Sequence, residues 1–278
     1  MSTSPLLSPS GLATLLSTAA DLVILDARPG PADYAAGHLP GARHADLNTQ
    51  LSAAGDPGAD PAHGGRHPLP PLERWLLQLG HWGIRPGTTV VVYDDQNGAN
   101  AAARAWWMLR AAGHEDVRVL DGDFREAGTV TTDLPSIEPA PAYPSNRWQL
   151  PVADLEQVGA LREDPDWRVL DVRSSPRYRG ETEPIDPIAG HIPGAINLPF
   201  AENLAGGRFK PPADLRNQYA NLLGDIPPER VVVHCGSGVT ACHTLLALEA
   251  AGLPGASLYV GSWSEWCRND LPRAAGER

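Results

Sequence analysis

The stretches Val90-Val91-Val92 and Val231-Val232-Val233 are apolar without interruption. A strand covered on both faces reads this way, whereas a half-exposed strand alternates apolar with polar. A polar loop follows each run. Next comes a helical stretch, AAARAWWMLRAAGH in the first case and ACHTLLALEAAGL in the second, ending at Gly113 or Gly252. A further strand then follows, VRVLDGDF or SLYVGSW, and Gly122 and Gly261 match at the same separation as the first glycine pair. Upstream, Val23-Ile24-Leu25-Asp26-Ala27-Arg28 matches Val169-Leu170-Asp171-Val172-Arg173, and Gly37-His38-Leu39-Pro40-Gly41-Ala42 matches Gly190-His191-Ile192-Pro193-Gly194-Ala195. The same order of elements therefore occurs twice. Strands alternating with helices predict an α/β chain of two tandem domains, each a mainly parallel sheet flanked by helices.

The domains are expected at 1–130 and 151–278. The proline-studded stretch TTDLPSIEPAPAYPSNRWQLP places an extended linker at 131–150. Residues 51–71, rich in Gly, Pro, Asp and His, read as a long surface loop of the first domain. Its His63 and His67 read as solvated histidines, because no cysteine or carboxylate ligand set accompanies them. No metal or cofactor is expected: there is no G-x-G-x-x-G after the first strand and no paired C-x-x-C.

Composition narrows the function. Across 278 residues, 42% are hydrophobic, enough for two packed cores, and no apolar run is long enough to cross a bilayer. The formal net charge of −11 repels phosphate backbones and argues against a nucleic-acid partner. Lys210 is the single lysine, so the positive charge is almost all arginine. Three cysteines, Cys235, Cys242 and Cys267, form no disulfide framework and point to a reducing compartment. The N-terminal stretch lacks the basic start and long apolar segment of a secretory signal, so a cytoplasmic location is expected.

The chemistry concentrates in His234-Cys235-Gly236-Ser237-Gly238-Val239-Thr240-Ala241. Cys235 stands at the carboxyl end of a strand and just before a helix expected over Ala241–Ala251. Ligands of open α/β sheets bind at that edge. Loop N–H groups and the helix dipole there favour a thiolate. Gly236 and Gly238 let the backbone curl closely around an anion, and Ser237 and Thr240 offer hydroxyl donors. The other reading of Cys235 is a small buried side chain at a strand end. Against it, the first copy holds Asp94 and Asp95 at the equivalent place, so one copy has lost a nucleophile. His234, next to Cys235 on the strand, is expected to face away from it.

The loop C-G-S-G-V-T-A, the paired G-H-x-P-G-A motifs, the L-D-x-R strands and the terminal G-S-W-x-E-W resemble the tandem rhodaneses, the group of 3-mercaptopyruvate and thiosulfate sulfurtransferases. The resemblance covers about Leu22 to Leu271. It implies two rhodanese-like domains, an inactive first and a catalytic second, with the site in the cleft between them. It implies that Cys235 takes sulfur from a small anionic donor as a persulfide and hands it to a thiol or cyanide. Thioredoxin, glutathione, cyanide and a sulfur-carrier protein all remain open as acceptors. Val239 belongs to the substrate loop by the same resemblance. In related enzymes an R-[FY]-x-G motif grips the donor anion, which here is Arg177, with Arg179 as fallback; the alternative for Arg177 is a surface pair with Glu181 or Glu183. Mercaptopyruvate enzymes of this group usually carry a second arginine shortly afterwards, where this chain reads Ile185-Asp186-Pro187-Ile188. Its absence predicts weak donor binding. Thiosulfate enzymes usually carry basic residues in the loop, and Gly236-Ser237-Gly238 has none, which favours mercaptopyruvate.

Asp171 and Arg173 read as scaffold behind the loop, as do Asp26 and Arg28 in the first copy. His38 and His191 hold equivalent places, which suits a structural role. The resemblance also raises a Ser-His-Asp relay, matched here by Ser237 and His38 with Asp33 the nearest acid. Cys242, Trp106 and Trp107 are expected in packing, and Trp263 and Trp266 along the cleft. A cysteine phosphatase would need an arginine in C-x5-R, where Ala241 stands. A non-catalytic binding module would have no use for an intact cysteine loop.

Overall fold

The computed structural model describes residues 4–99 and 101–277. The chain divides into two compact units. One comprises the residues up to Ala53 together with Leu69–Gln149, the other Ala54–Pro68 together with the residues from Leu150 onward.

The first unit holds a five-stranded parallel sheet in the spatial order Leu6–Leu7, Val117–Leu120, Thr89–Tyr93, Leu22–Asp26, Arg43–His44. The second holds the same order with Val152–Ala153, Ser257–Tyr259, Val231–His234, Arg168–Asp171, Ile196–Asn197, again all parallel. The central strands Thr89–Tyr93 and Val231–His234 are buried along nearly their whole length, which explains their unbroken apolar runs. The helices Ala102–Ala111 and Val239–Ala250 are apolar almost all round because they too are buried. The second of these begins two residues earlier than the sequence pattern suggests, directly after Gly238, whose φ of 76° turns the chain into the helix.

The repeated motifs form one repeated scaffold. Asp26 and Arg28 make a bidentate ion pair, and Arg28 also donates to the Gly37 carbonyl at 2.6 Å. Asp171 and Arg173 do the same, with Arg173 donating to the Gly190 carbonyl at 2.7 Å. Each motif histidine stacks on a tyrosine of its own unit, His38 on Tyr34 and His191 on Tyr178, with ring centroids 3.9 and 3.8 Å apart. Each tyrosine hydroxyl donates to the last alanine carbonyl of the motif, Ala42 or Ala195, at 2.7 Å. The L-D-x-R strand end and the G-H-x-P-G-A turn are thus two halves of one hydrogen-bonded brace.

Two connecting stretches depart from expectation. Residues 131–149 are extended, yet they are bound to the first unit: Ala140 N–H reaches the Gly80 carbonyl and Gln149 N–H that of Ala111. Residues 54–68, read above as a surface loop of the first domain, belong to the second unit. Gly64 N–H donates to Glu265 at 2.7 Å, Arg66 N–H to Ser264 Oγ at 3.0 Å, and Asn269 to the Ala62 carbonyl at 3.0 Å. Among the described residues, no helix is long and apolar enough to cross a membrane.

Candidate active site

Cys235 lies at the end of the strand Val231–His234 and is only 2% exposed. The Ser237 N–H points at its sulfur from 3.5 Å. Its backbone is pinned by the turn at 261–264. Cys235 N–H donates to Ser262 Oγ at 3.2 Å, Trp263 N–H to the Cys235 carbonyl at 3.0 Å, and Ser264 N–H to the Gly236 carbonyl at 2.9 Å. Gly238 is needed as glycine: besides its positive φ, a Cβ there would stand 2.6 Å from the Val260 carbonyl oxygen. Val239 is buried and Thr240 half-buried at the start of the following helix. His234 is buried, with Nε2 3.9 Å from Asp171 and Nδ1 3.2 Å from the Cys235 carbonyl. Burial and Arg173 lower its pKa while the Asp171 carboxylate pulls it up, and the net direction is down.

The first copy closes the same sheet edge with a longer loop, its helix starting at Ala102 after Asp94 where the second copy's starts at Val239 after Cys235. Asp94, at the position of Cys235, takes N–H bonds from Gln96 and Gly98 at 2.8 Å, Ala101 at 3.2 Å and Ala102 at 3.1 Å. A carboxylate thus fills the cradle from within. Burial drives the Asp94 carboxyl upward and the four N–H bonds oppose it, leaving it above the ordinary aspartate value.

Beside Gly236 two guanidiniums converge. A Cβ built on Gly236 would stand 3.2 Å from Arg66 Nη2 and 3.4 Å from Arg177 Nη2. Arg177 is bidentate with Glu183, at 2.6 and 3.2 Å, so its pairing with Glu183 and its approach to the cysteine loop coexist. The buried Asp186 carboxylate gathers three arginines: Arg66 as an ion pair, Arg268 at 2.8 Å and Arg177 at 3.7 Å. Glu183 also accepts from Arg173 at 3.3 Å, joining this cluster to the Asp171 brace. Burial opposes the charges of Asp171 and Arg173. Their mutual pairing outweighs it, so the Asp171 carboxyl lies below its ordinary value and the Arg173 guanidinium above. The stretch at Ile185–Asp186 therefore lacks an arginine in sequence but not in space.

Several expectations need correction. His38 is not the partner of Ser237. Its Nδ1 lies 2.8 Å from the Tyr34 carbonyl and its Nε2 3.1 Å from that of Asp133, so both ring nitrogens are engaged by backbone. Asp33 is exposed on the helix Pro31–Ala36. The histidine bonded to Ser237 Oγ is His67, through Nδ1 at 2.8 Å, so His67 is not a merely solvated side chain; His63 is exposed beside Asp60. Arg179 is held by the exposed Glu181 at 2.7 Å rather than at the cysteine loop. Trp263 and Trp266 are core residues whose indole N–H groups donate to the Ile188 and Pro272 carbonyls, not cleft walls. Cys242 is buried, with its thiol against the Gly238 carbonyl at 3.3 Å, and Trp106 and Trp107 are buried as expected.

A family model described as "Rhodanese-like domain" matches residues 8–127 and again 154–269. A Pseudomonas aeruginosa protein named "Probable 3-mercaptopyruvate sulfurtransferase" is 44% identical over the full length of both chains. The Mus musculus protein named thiosulfate sulfurtransferase is 38% identical over 70% of this chain and 68% of its own. Among solved structures, the 3-mercaptopyruvate sulfurtransferase from Leishmania major superposes with a TM-score of 0.79 at 30% identity, covering 95% of this chain and 74% of that one.

Proposed function

Because the chain belongs to the rhodanese-like family and is a sulfurtransferase, we propose that it takes sulfur from 3-mercaptopyruvate onto Cys235 and passes it to a thiol or cyanide. The observation that carries this reading is a cysteine held under a loop N–H with two guanidiniums bordering the adjacent Gly236. The Cys235 thiolate attacks the donor thiol sulfur. An S–S bond forms, the donor C–S bond breaks, and its electron pair leaves as the enolate of pyruvate, which takes up a proton. Ser237 Oγ, bonded to His67, is placed to relay that proton. Cyanide or a thiolate then attacks the outer persulfide sulfur, and Cys235 leaves as thiolate.

Arg177 grips the donor carboxylate by a charge-assisted fork, and Gly236, Ser237, Gly238, Val239 and Thr240 form the wall around the sulfur. Asp171 supports the site through Arg173. Catalysis is assigned to the second domain with its 54–68 segment, and the first domain is read as inactive. Charge favours a monoanionic donor. The cluster sets four guanidiniums (Arg66, Arg173, Arg177, Arg268) against three carboxylates (Asp171, Glu183, Asp186), and the Cys235 thiolate balances the remaining positive charge, so a second negative charge on the donor is not offset. Thiosulfate is the second reading, favoured by the guanidiniums that flank a loop with no cation of its own. Thiol chemistry of this kind suits the reducing cytoplasm. Steady-state assays with both donors side by side test the reading. A higher kcat/KM for 3-mercaptopyruvate and one added sulfur on the Cys235 peptide are expected. A higher kcat/KM for thiosulfate overturns the donor, and a persulfide on Cys242 or Cys267 overturns the nucleophile.

A further inference from the structure

We propose that Arg66, delivered by the 54–68 segment, is a second carboxylate-binding group for the donor, and that Asp186 positions it as a pair with Arg177. The inference rests on the reading of Cys235 as nucleophile and of the donor as a carboxylate.

Three observations carry it. The first is the approach to the loop: Arg66 Nη2 stands 3.2 Å from where a Gly236 side chain would begin, nearer than either terminal nitrogen of Arg177, at 3.4 and 3.5 Å. The space beside the residue following the nucleophile is therefore bordered by two cations from separate parts of the sequence. A planar carboxylate there could meet one N–H of each.

The second is anchorage. The segment that brings Arg66 is fixed to the same turn that fixes the cysteine loop. Ser264 serves both: its N–H holds the Gly236 carbonyl and its Oγ accepts the Arg66 N–H. Gly65, at φ 79°, packs against the Gly261 carbonyl so closely that no Cβ would fit. An arginine seated this way keeps its register with Cys235, which suits preorganised binding rather than a surface contact.

The third is Asp186. Its side chain is fully buried, and its two oxygens face three guanidiniums. Each guanidinium has five N–H donors, more than one carboxylate can accept. Arg66 and Arg177 side chains remain 20% and 18% exposed, so each keeps an accessible edge. Asp186 thus orients both guanidiniums without consuming them.

The test compares 3-mercaptopyruvate with mercaptoacetone, which has the same reacting thiol and ketone but no carboxylate. The ratio of kcat/KM for the two donors, measured on one preparation, does not depend on how much of a variant is folded. In the wild-type enzyme the ratio should favour 3-mercaptopyruvate. Arg66→Ala is expected to lower it about ten-fold, chiefly through KM, the loss of one charge-assisted hydrogen bond. Arg66→Lys should restore part of it. Asp186→Asn should lower the same ratio by disordering both arginines. If Arg66→Ala lowers both donors equally, or neither, the assignment of Arg66 is overturned while the donor reading stands. A wild-type ratio near one overturns the carboxylate donor itself.

Discussion

Gly236 and Gly238 sit two residues apart in one loop, yet alanine should fail at each for a different reason. At Gly238 the backbone has φ 76°, where an L-residue costs about 1–2 kcal/mol. The new Cβ would also lie 2.6 Å from the Val260 carbonyl oxygen, a backbone atom of the neighbouring strand connection that cannot turn aside. Strain and displacement together put Gly238→Ala at about 2–4 kcal/mol of lost stability. For a protein of this size that is a fall in Tm of roughly 5–15 °C. At Gly236 the backbone is outside the left-handed region, and the nearest atoms are the ends of two arginine side chains at 3.2 and 3.4 Å. These can yield by a few tenths of an ångström, so Gly236→Ala should leave Tm within about 1 °C. What it should disturb is the guanidinium pair. Steady-state kinetics with 3-mercaptopyruvate should show a KM raised about three- to ten-fold and a smaller change in kcat, as for weakened anion binding. Differential scanning fluorimetry and initial-rate assays on both variants separate the cases. A large Tm loss in Gly236→Ala, or an unchanged KM with unchanged Tm, refutes the placement of the arginines beside this loop.

Cys235→Ser should abolish sulfur transfer, while Cys242→Ser and Cys267→Ser keep most of it; burial and the Asp186 carboxylate push the Cys267 thiol up, away from the reactive thiolate. Donor-loading mass spectra of the three variants check this. Arg177→Ala should reduce kcat/KM for 3-mercaptopyruvate about ten- to a hundred-fold, and Arg177→Lys should recover only part, since a point charge replaces a fork. For Asp171, burial raises the carboxyl but Arg173 and His234 outweigh it and hold its pKa down. Its contribution to stability is therefore fully present above the ordinary aspartate value of about 3.9 and is lost as pH falls through the lower folded value. Urea midpoints of wild type and Asp171→Asn should thus converge as the pH is lowered below that range; a gap that widens on acidification reverses the sign.

The duplication was legible because it rests on local pattern. Strands covered on both faces leave unbroken valine runs, and Gly113 and Gly252 end equivalent helices. The placement of Cys235 at a strand end before a helix was legible for the same reason: a glycine-rich loop between a buried strand and a helix is a contiguous signal. Arg66 and His67 were not. Their partners Asp186 and Ser237 lie 120 and 170 residues away, and the segment that carries them is polar and glycine-rich, with no period to read. A short Gly-Gly-Arg-His run in an acidic chain is the available clue, but from sequence only its His67, with His63, stands out, as a solvated side chain or a metal ligand. The relay histidine is matched to His38 by the family resemblance alone, whereas the repetition of its motif suits a structural role. The repetition marks the brace: His38 and His191 do the same work against Tyr34 and Tyr178 in both units. The residues that distinguish the copies lie outside the repeated motifs.

That difference bears on the proposal that only the second copy is active. Both units close their sheet edge with the same Asp–Arg brace and the same Tyr–His stack, so the scaffold that presents the loop is not what separates them. The loops differ in length and in what fills them. In the first unit the Asp94 carboxylate, tethered to the chain, gathers four backbone N–H groups of its own loop and of the following helix. Those donors are spent internally, and a carboxylate offers no sulfur to attack a donor. In the second unit the corresponding side chain is a thiol, and the Gly236 flank is bordered by arginines rather than closed by a carboxylate. On the proposed reading, a nucleophile takes the place of the first copy's resident anion, and Arg66, brought in from a distant segment, receives the donor's own anion. On this argument Asp94→Cys alone would not create activity in the first copy, because it would supply the sulfur without the guanidinium pair.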